Sequence, residues 1–358
     1  MEMHMSDILG TYAAYSKDLK LRLESSSGAI FSLLAEQVLY RNGTVYGVAM
    51  SQDSTYAEFT RVDNQEDLLK LRGSKYLQAR VGNTYQQVKT DLESGLTVLF
   101  SGTSCQINGL KGFLGKEYAN LYCVDVICHG VPSPKLWRQY VRYVEAEANS
   151  KLVNVNFRCK DDSWSDFEIK RIDENHKVMY ISKDQDPFML MFLRDYCLRP
   201  SCYECVAKQH KLSDLTIADF WGIDEVLSEM NDGKGVSLVI LRTSKGIELF
   251  DGIKANIYCR EVSYEDGVKW NLAEYRSAKR PEERNYFFDN LATMSFDELV
   301  TKYAMSTPVS IKRRIKRSIK KLIMKTSISK FNPTWGKINI QTYGLLFTFE
   351  EKTAWRER

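Results

Sequence analysis

Two apolar runs constrain this chain most. Residues 96–100 (LTVLF) and 121–127 each have the length and composition of a buried strand, and the stretch between them reads as a helix through about Lys116. Strand, helix, strand is a β-α-β unit, so the two strands are expected to lie parallel with a right-handed crossover. Parallel strands finish at the same edge of a sheet, and that edge is where open α/β sheets bind ligands. Cys105, in the loop Gly102-Thr103-Ser104-Cys105-Gln106, and Cys128, in Cys128-His129-Gly130, each lie just beyond a strand end. The two thiols are therefore expected near one another. Cys123 falls inside the second strand and reads as core.

A second feature is the stretch 198–222, LRPSCYECVAKQHKLSDLTIADFWG. Cys202 and Cys205 form a C-x-x-C on a turn after Pro200, and two sulfurs at that spacing grip one metal or one iron–sulfur cluster from the same side. Residues 213–220 read as a short strand behind the turn. A zinc knuckle, a redox dithiol or two buried core cysteines would give the same spacing. Composition narrows the choice of compartment. No basic segment followed by an apolar core opens the sequence, and no run of eighteen apolar residues occurs. The chain is thus expected to be cytoplasmic, its 8 cysteines reduced and free to act as ligands. Only 4 histidines speak against a His-rich zinc enzyme.

The remaining elements surround these two features. Ser25-Ser26-Ser27-Gly28 precedes a helix ending near Tyr40; the serines are N-cap candidates, and a Ser/Gly turn opening a helix also suits phosphate. Strand 44–50 and helix 63–71, capped by Asp63 or Asn64, lead to the basic loop Arg72-Gly73-Ser74-Lys75-Tyr76. Arg72 and Lys75 are either phosphate contacts or ordinary surface charge. A helix over 84–94 closes at Gly95. Ser133-Pro134 opens another helix. Pieces at 153–158, 167–172 and 178–182 suggest an antiparallel section. The Phe-, Met- and Leu-rich helix 187–196 reads as packing. Strands follow at 236–242 and near 257–262, then helices at 281–291 and 295–303. In 311–325 isoleucines share one helical face and the other is basic: eight Lys and Arg lie between Lys312 and Lys325 with no acid among them. Such a helix suits an anionic membrane surface, nucleic acid, an acidic partner or simple solvation. No nucleic-acid function is expected. The fold class is α/β: a mixed sheet with a parallel β-α-β core, an antiparallel section and a C-terminal helical extension.

Cys105 in GTSCQ, Cys128 in CHG, and CYEC before DLTIADFWG form a combined pattern that resembles the coenzyme F420 hydrogenase/dehydrogenase beta-subunit family. Ser26-Ser27-Gly28, RGSKY at 72–76, VPSPKLW at 131–137 and LRPSCYEC extend the match, from about Ser25 to about Thr243. The resemblance implies a flavin (FAD) beside a [4Fe-4S] cluster, passing electrons between the cluster and a hydride acceptor. It implies Cys105, Cys128, Cys202 and Cys205 as cluster ligands, with Cys197 in reserve. Ser26, Ser27, Gly28, Arg72, Gly73, Ser74, Lys75, Gly102 and Thr103 become the flavin candidates. His129, beside a ligand, is the candidate proton relay, or else a hydrogen bond that fixes the turn. Relatives of the bacterial polysaccharide-cluster type often carry an N-terminal ferredoxin domain. No cysteine precedes Cys105 here, so an external ferredoxin-like donor is expected, with a small-molecule or protein acceptor.

The implied domains are 1–95 with the flavin-phosphate loops, 96–275 with the iron–sulfur and flavin site, and a helical extension, 276–358, whose segment 311–325 would contact the inner membrane face. Two residues depart from the family pattern. Ser104 replaces the usual proline, which should loosen the loop, and Ala29 replaces a second glycine, narrowing a close approach to phosphate. Two rival readings are a zinc-stabilised interaction module and a membrane-docked scaffold of a polysaccharide-assembly complex.

Overall fold

The predicted parallel pair lies at the centre of a nine-stranded sheet. The computed structural model describes residues 8–161 and 163–305. The strands in chain order are β1 Gly10–Ser16, β2 Thr44–Met50, β3 Ala57–Val62, β4 Ala79–Arg80, β5 Val98–Thr103, β6 Leu121–Val126, β7 Leu152–Cys159, β8 Glu168–Asp173, β9 Val178–Ser182, β10 Leu215–Asp219, β11 Ser237–Leu241 and β12 Ile257–Glu261. The large sheet has the order β12-β1-β11-β10-β6-β5-β2-β3-β4, and β7-β8-β9 form a separate three-stranded sheet. β5 and β6 pair in parallel from Val98↔Leu121 to Thr103↔Val126. β2 and β10 extend this parallel centre on either side, and antiparallel strands flank it.

The central strands are apolar at successive positions because helices cover both faces. Val45, Leu99 and Val124 point to the side of helices Ile30–Tyr40 and Ser244–Asp251. Tyr46, Phe100 and Cys123 point to helices Thr84–Glu93 and Ser104–Leu114. Cys123 is fully buried there, as expected of a core thiol.

The small antiparallel sheet packs with helices Pro134–Ala148 and Pro187–Leu193 around Trp137, Tyr140, Phe157, Phe188 and Phe192. The stripe of Phe and Met on the second helix is indeed packing. Helices Arg284–Thr293 and Phe296–Tyr303 add Phe287, Leu291, Phe296 and Leu299 to the same core. A reciprocal Ser295–Glu298 capping box starts the second of them.

Two expectations fail locally. The serines before the first long helix do not cap it. Its N-cap is Ala29, at φ 68° with no side-chain bond. That left-handed conformation is natural for glycine and costs roughly 1–2 kcal/mol for a residue with a Cβ. Ala29 departs from the family pattern at a position where the backbone itself favours glycine. Ser104 does not loosen a loop. β5 runs through Gly102 and Thr103, the helix begins at Ser104, and Ser104 Oγ donates to Asp125 Oδ2 at 2.5 Å. The basic segment 311–325 lies outside the described residues. Among the described residues no helix is long and apolar enough to cross a membrane.

Candidate functional site

Cys105, Cys128, Cys202 and Cys205 line one pocket, together with Thr103, Ser104, His129 and Lys208. Three separate segments build it. Cys105 stands in the first turn of helix Ser104–Leu114, directly after β5. Gln106 Oε1 accepts from the backbone N–H and the hydroxyl of Thr103, which closes the capping box and holds that turn. Thr103 Oγ1 lies 3.2 Å from Cys105 Sγ. Cys128 follows β6.

The C-x-x-C turn is stapled to the Cys128 loop. Arg199 N–H donates to Val131 C=O at 2.8 Å, Ser133 N–H donates to Cys197 C=O at 2.9 Å, and Pro132 and Leu198 form a β-bridge. From the far side, Arg284 Nη2 donates to Leu198 C=O at 2.8 Å. Cys205 N–H donates to Ser277 Oγ at 2.9 Å.

The electrostatics follow from this convergence. Burial pushes the Cys128 thiol up to about 12; the Lys208 ammonium opposes that, and the sulfurs of Cys105, Cys202 and Cys205 add to it. Burial also raises Cys202, with Cys205 and Cys105 as further causes. These shifts record that the four sulfurs feel one another. Metal binding has to displace the thiol protons, and a cation beside the site favours that. Lys208 Nζ donates to Cys128 C=O at 2.6 Å and to Ala273 C=O. Cys105 is exposed, whereas Cys202 and Cys205 are half-buried. Among the described residues no three His, Cys, Asp or Glu side chains stand close enough to hold a single metal ion. An all-sulfur donor set spread around one pocket fits a multi-iron cluster. Cys197 is fully buried in the aromatic core, away from the pocket.

His129 lines the pocket, with Nε2 2.7 Å from Asp195 Oδ1 and its ring edge-on to Phe192 at 5.2 Å. The Nε2–Oδ1 approach lacks hydrogen-bond geometry: among the described residues both atoms are buried without a hydrogen-bond partner.

The candidate flavin loops meet each other. Ser26 Oγ accepts from Ser74 N–H at 2.9 Å and lies 3.0 Å from Ser74 Oγ. Ser27 Oγ donates to Val236 C=O, and Gly28 N–H donates to Ser237 Oγ. A Cβ on Gly28 would stand 2.4 Å from Ala14 C=O, so the close approach there is to the chain itself. Arg72 pairs with Glu24 at 2.8 Å, and its Nε is buried without a partner. Gly73 is at φ 83° and exposed. Among the described residues Lys75 Nζ donates only to the carbonyls of Lys70 and Arg72, and burial lowers its pKa to about 7. An ammonium held by carbonyls alone suits an incoming anion; the serines and Gly28 are already engaged in holding the loops. Tyr76 contacts Phe192 at 5.4 Å, and Phe192 contacts His129, so two ring contacts separate the loop from the thiol pocket.

Sequence reasoning missed Lys208 and Lys211, which follow the C-x-x-C at a spacing that signals nothing by itself. Lys211 and Arg242 both pair with the fully buried Glu274, behind the pocket wall. It also missed Lys160, whose Nζ donates to the carbonyls of Arg22, Ser27 and Lys234. Burial lowers the Lys160 pKa to about 7, but three accepting carbonyls use all three N–H groups of the ammonium and so hold its proton on. Lys160 thereby fixes the Ser25–Gly28 turn.

Comparison with known proteins gives one consistent result. The model of the N-terminal domain of the coenzyme F420 hydrogenase/dehydrogenase beta-subunit family matches residues 11–84, and the model of its C-terminal domain matches residues 95–267. No curated protein sequence matches. Among solved structures, a chain of the F420-reducing [NiFe] hydrogenase complex from Methanosarcina barkeri (a xenon derivative) is similar, with TM-score 0.50 and 16% identity. The match covers 75% of this chain and 90% of that one. At that identity the likeness is one of fold.

Proposed function

The chain belongs to the coenzyme F420 hydrogenase/dehydrogenase beta-subunit family, and we propose that it is an iron–sulfur flavoprotein oxidoreductase. The observation that carries the proposal is the meeting of four cysteines from three chain segments in one pocket at the sheet edge. Cys105, Cys128, Cys202 and Cys205 would hold a [4Fe-4S] cluster, and Arg72 and Lys75 would face the phosphates of FAD. Bound there, the two cofactors would supply one-electron transfer and hydride delivery to an acceptor. The chain's own work is positional. The Pro132–Leu198 bridge sets the spacing of the thiols, Lys208 places a cation beside them, and the Ser26–Ser74 contact joins the two flavin loops. Electrons would come from an external ferredoxin-like protein.

The test is anaerobic purification with iron, sulfide, zinc and flavin analysis. Broad absorbance near about 400 nm, as thiolate-bound iron gives, with iron and sulfide present, supports the reading; colourless protein with one zinc overturns it. Cys105→Ser and Cys202→Ser should each remove the iron. Cys123→Ser, Cys159→Ser and Cys259→Ser should keep it. Equal loss in all five refutes the ligand assignment.

A further inference from the structure

We infer that the rim of the thiol pocket is the docking surface for an acidic electron-carrier protein; this rests on the redox reading above and adds where its partner binds. Three observations converge on one face. The first is access: Cys105 is exposed, so a centre held there lies near the protein surface. The second is apolar exposure. Val206, Leu212 and Leu272 stand 66%, 46% and 44% exposed, on the two segments that border the pocket through Ala207, Lys211 and Ala273.

The third is charge. Arg199 acts electrostatically on Cys202, and Ser277 bonds the backbone of Cys205, so Arg199 and the run Arg276-Ser277-Ala278-Lys279-Arg280 flank the C-x-x-C. Arg199, Arg276, Lys279 and Arg280 are all exposed, and among the described residues none is ion-paired with a carboxylate. Glu204 is the exposed acid among them; Glu282 and Glu283 belong to the next turn, at the start of helix Arg284–Thr293. Lys208 and Lys211 are engaged inward and add nothing to this rim.

Exposed aliphatic residues ringed by unpaired cations suit a partner with an acidic rim around its own redox centre. The segment 312–325 is the wrong occupant, since its eight Lys and Arg carry the same sign as the rim. An anionic bilayer, which the same cations would attract, is an outcome that the test distinguishes. Docking would bring the partner's centre within reach of the thiol pocket. One electron would leave the reduced iron–sulfur partner per encounter, oxidising it by one electron, and a centre held by the four thiolates would accept that electron with no covalent bond changed.

The test uses the full chain and a purified acidic [2Fe–2S] ferredoxin as probe. Affinity is measured by calorimetric titration at low and high salt, alongside the rate of electron transfer from reduced ferredoxin. Arg276→Glu with Lys279→Glu should weaken affinity and slow transfer by about tenfold or more at low salt and remove most of the salt dependence. Iron content and reduction by dithionite should not change. Equal affinity in wild type and variant overturns the inference. So does ferredoxin binding that ignores these charges while the same two changes abolish sedimentation with phosphatidylserine vesicles, which would make the face a membrane contact. The failures separate cleanly. Charge-dependent binding by an iron-free chain refutes the cofactor reading and keeps the surface; an iron-loaded chain without charge dependence does the reverse.

Discussion

Glu274 should be the most sensitive polar residue near the pocket. It is fully buried, and its carboxylate receives Lys211 Nζ and Arg242 Nη2, whose side chains are 4% and 9% exposed. The neighbouring Ala273 C=O takes Lys208, so the turn Leu272–Glu274 ties this ion triad to the pocket wall. Glu274→Gln keeps the shape but leaves two buried cations without an anion. Removing one partner from a buried pair costs about 3–5 kcal/mol, because the other charge stays desolvated. For a chain of 358 residues, at about 2.1 cal/mol/K of unfolding entropy per residue, that is a fall in Tm of roughly 4–7 °C, or about 1.3 °C per kcal/mol. Calorimetry and urea unfolding of the variant measure it. Glu274→Gln combined with Lys211→Met and Arg242→Met should recover most of the loss, since it removes the stranded cations as well. A cost under about 1 kcal/mol for Glu274→Gln, typical of exposed pairs, would refute the argument.

Ser104→Ala should cost about 1–3 kcal/mol, because Asp125 is fully buried and its other oxygen already lacks a partner; equal thermal stability of variant and wild type would count against it. Lys75, lowered to about 7 by burial, should take up a proton when an anion binds beside it. FAD affinity is then expected to be highest below pH 7 and to fall above it, by up to about tenfold per unit. Lys75→Arg should flatten that profile, because arginine stays charged throughout, and a flat profile in the wild type would remove Lys75 from the site. Asn108→Ala removes bonds to His210 C=O at 2.6 Å and from Leu212 N–H at 3.2 Å. At about 0.5–1.5 kcal/mol each, iron should leave to a chelator faster with little change in Tm, and an unchanged loss rate would contradict this.

The centre of the fold was legible because β5, β6 and β11 are buried on both faces, and doubly covered strands leave continuous apolar runs. β1 left no such mark. Its sequence GTYAAYS is rich in small residues, yet it lies between β11 and β12, with Ala13 and Ala14 fully buried. Small residues are poor strand formers by themselves. The position of β1 is set by partners at 237–261, which no local window contains. The Ala29 cap was hidden for a related reason: side-chain chemistry points to the serines, whereas the helix start follows from a left-handed backbone whose cause is tertiary. Lys160 shows no pattern at all, because it acts through three carbonyls from two stretches far from it in sequence, Arg22 and Ser27 in one and Lys234 in the other.

The meeting of the cysteines was legible only by half. Cys105 and Cys128 follow strands β5 and β6, and parallel pairing alone brings them to one edge. The C-x-x-C precedes β10, which also runs parallel to β6. Topology alone would therefore place it at the opposite edge, beside Asp214, whose N–H donates to Cys123 C=O. Residues 206–214 resolve this by running back down the molecule before β10 begins. Extended, they reach about 30 Å, against roughly 17 Å for the five residues of β10. Length thus permits the return, and side chains direct it. Asn108, on the same helix as Cys105, holds the strip at His210 and Leu212, and Lys208 and Lys211 fasten it to Cys128 and Glu274. The two residue classes that make the pocket are therefore unlike in kind. Four cysteines are visible in any reading of the sequence, but the Asn and Lys that bring the second pair to the first belong to no periodic pattern, and only the fold shows what they do.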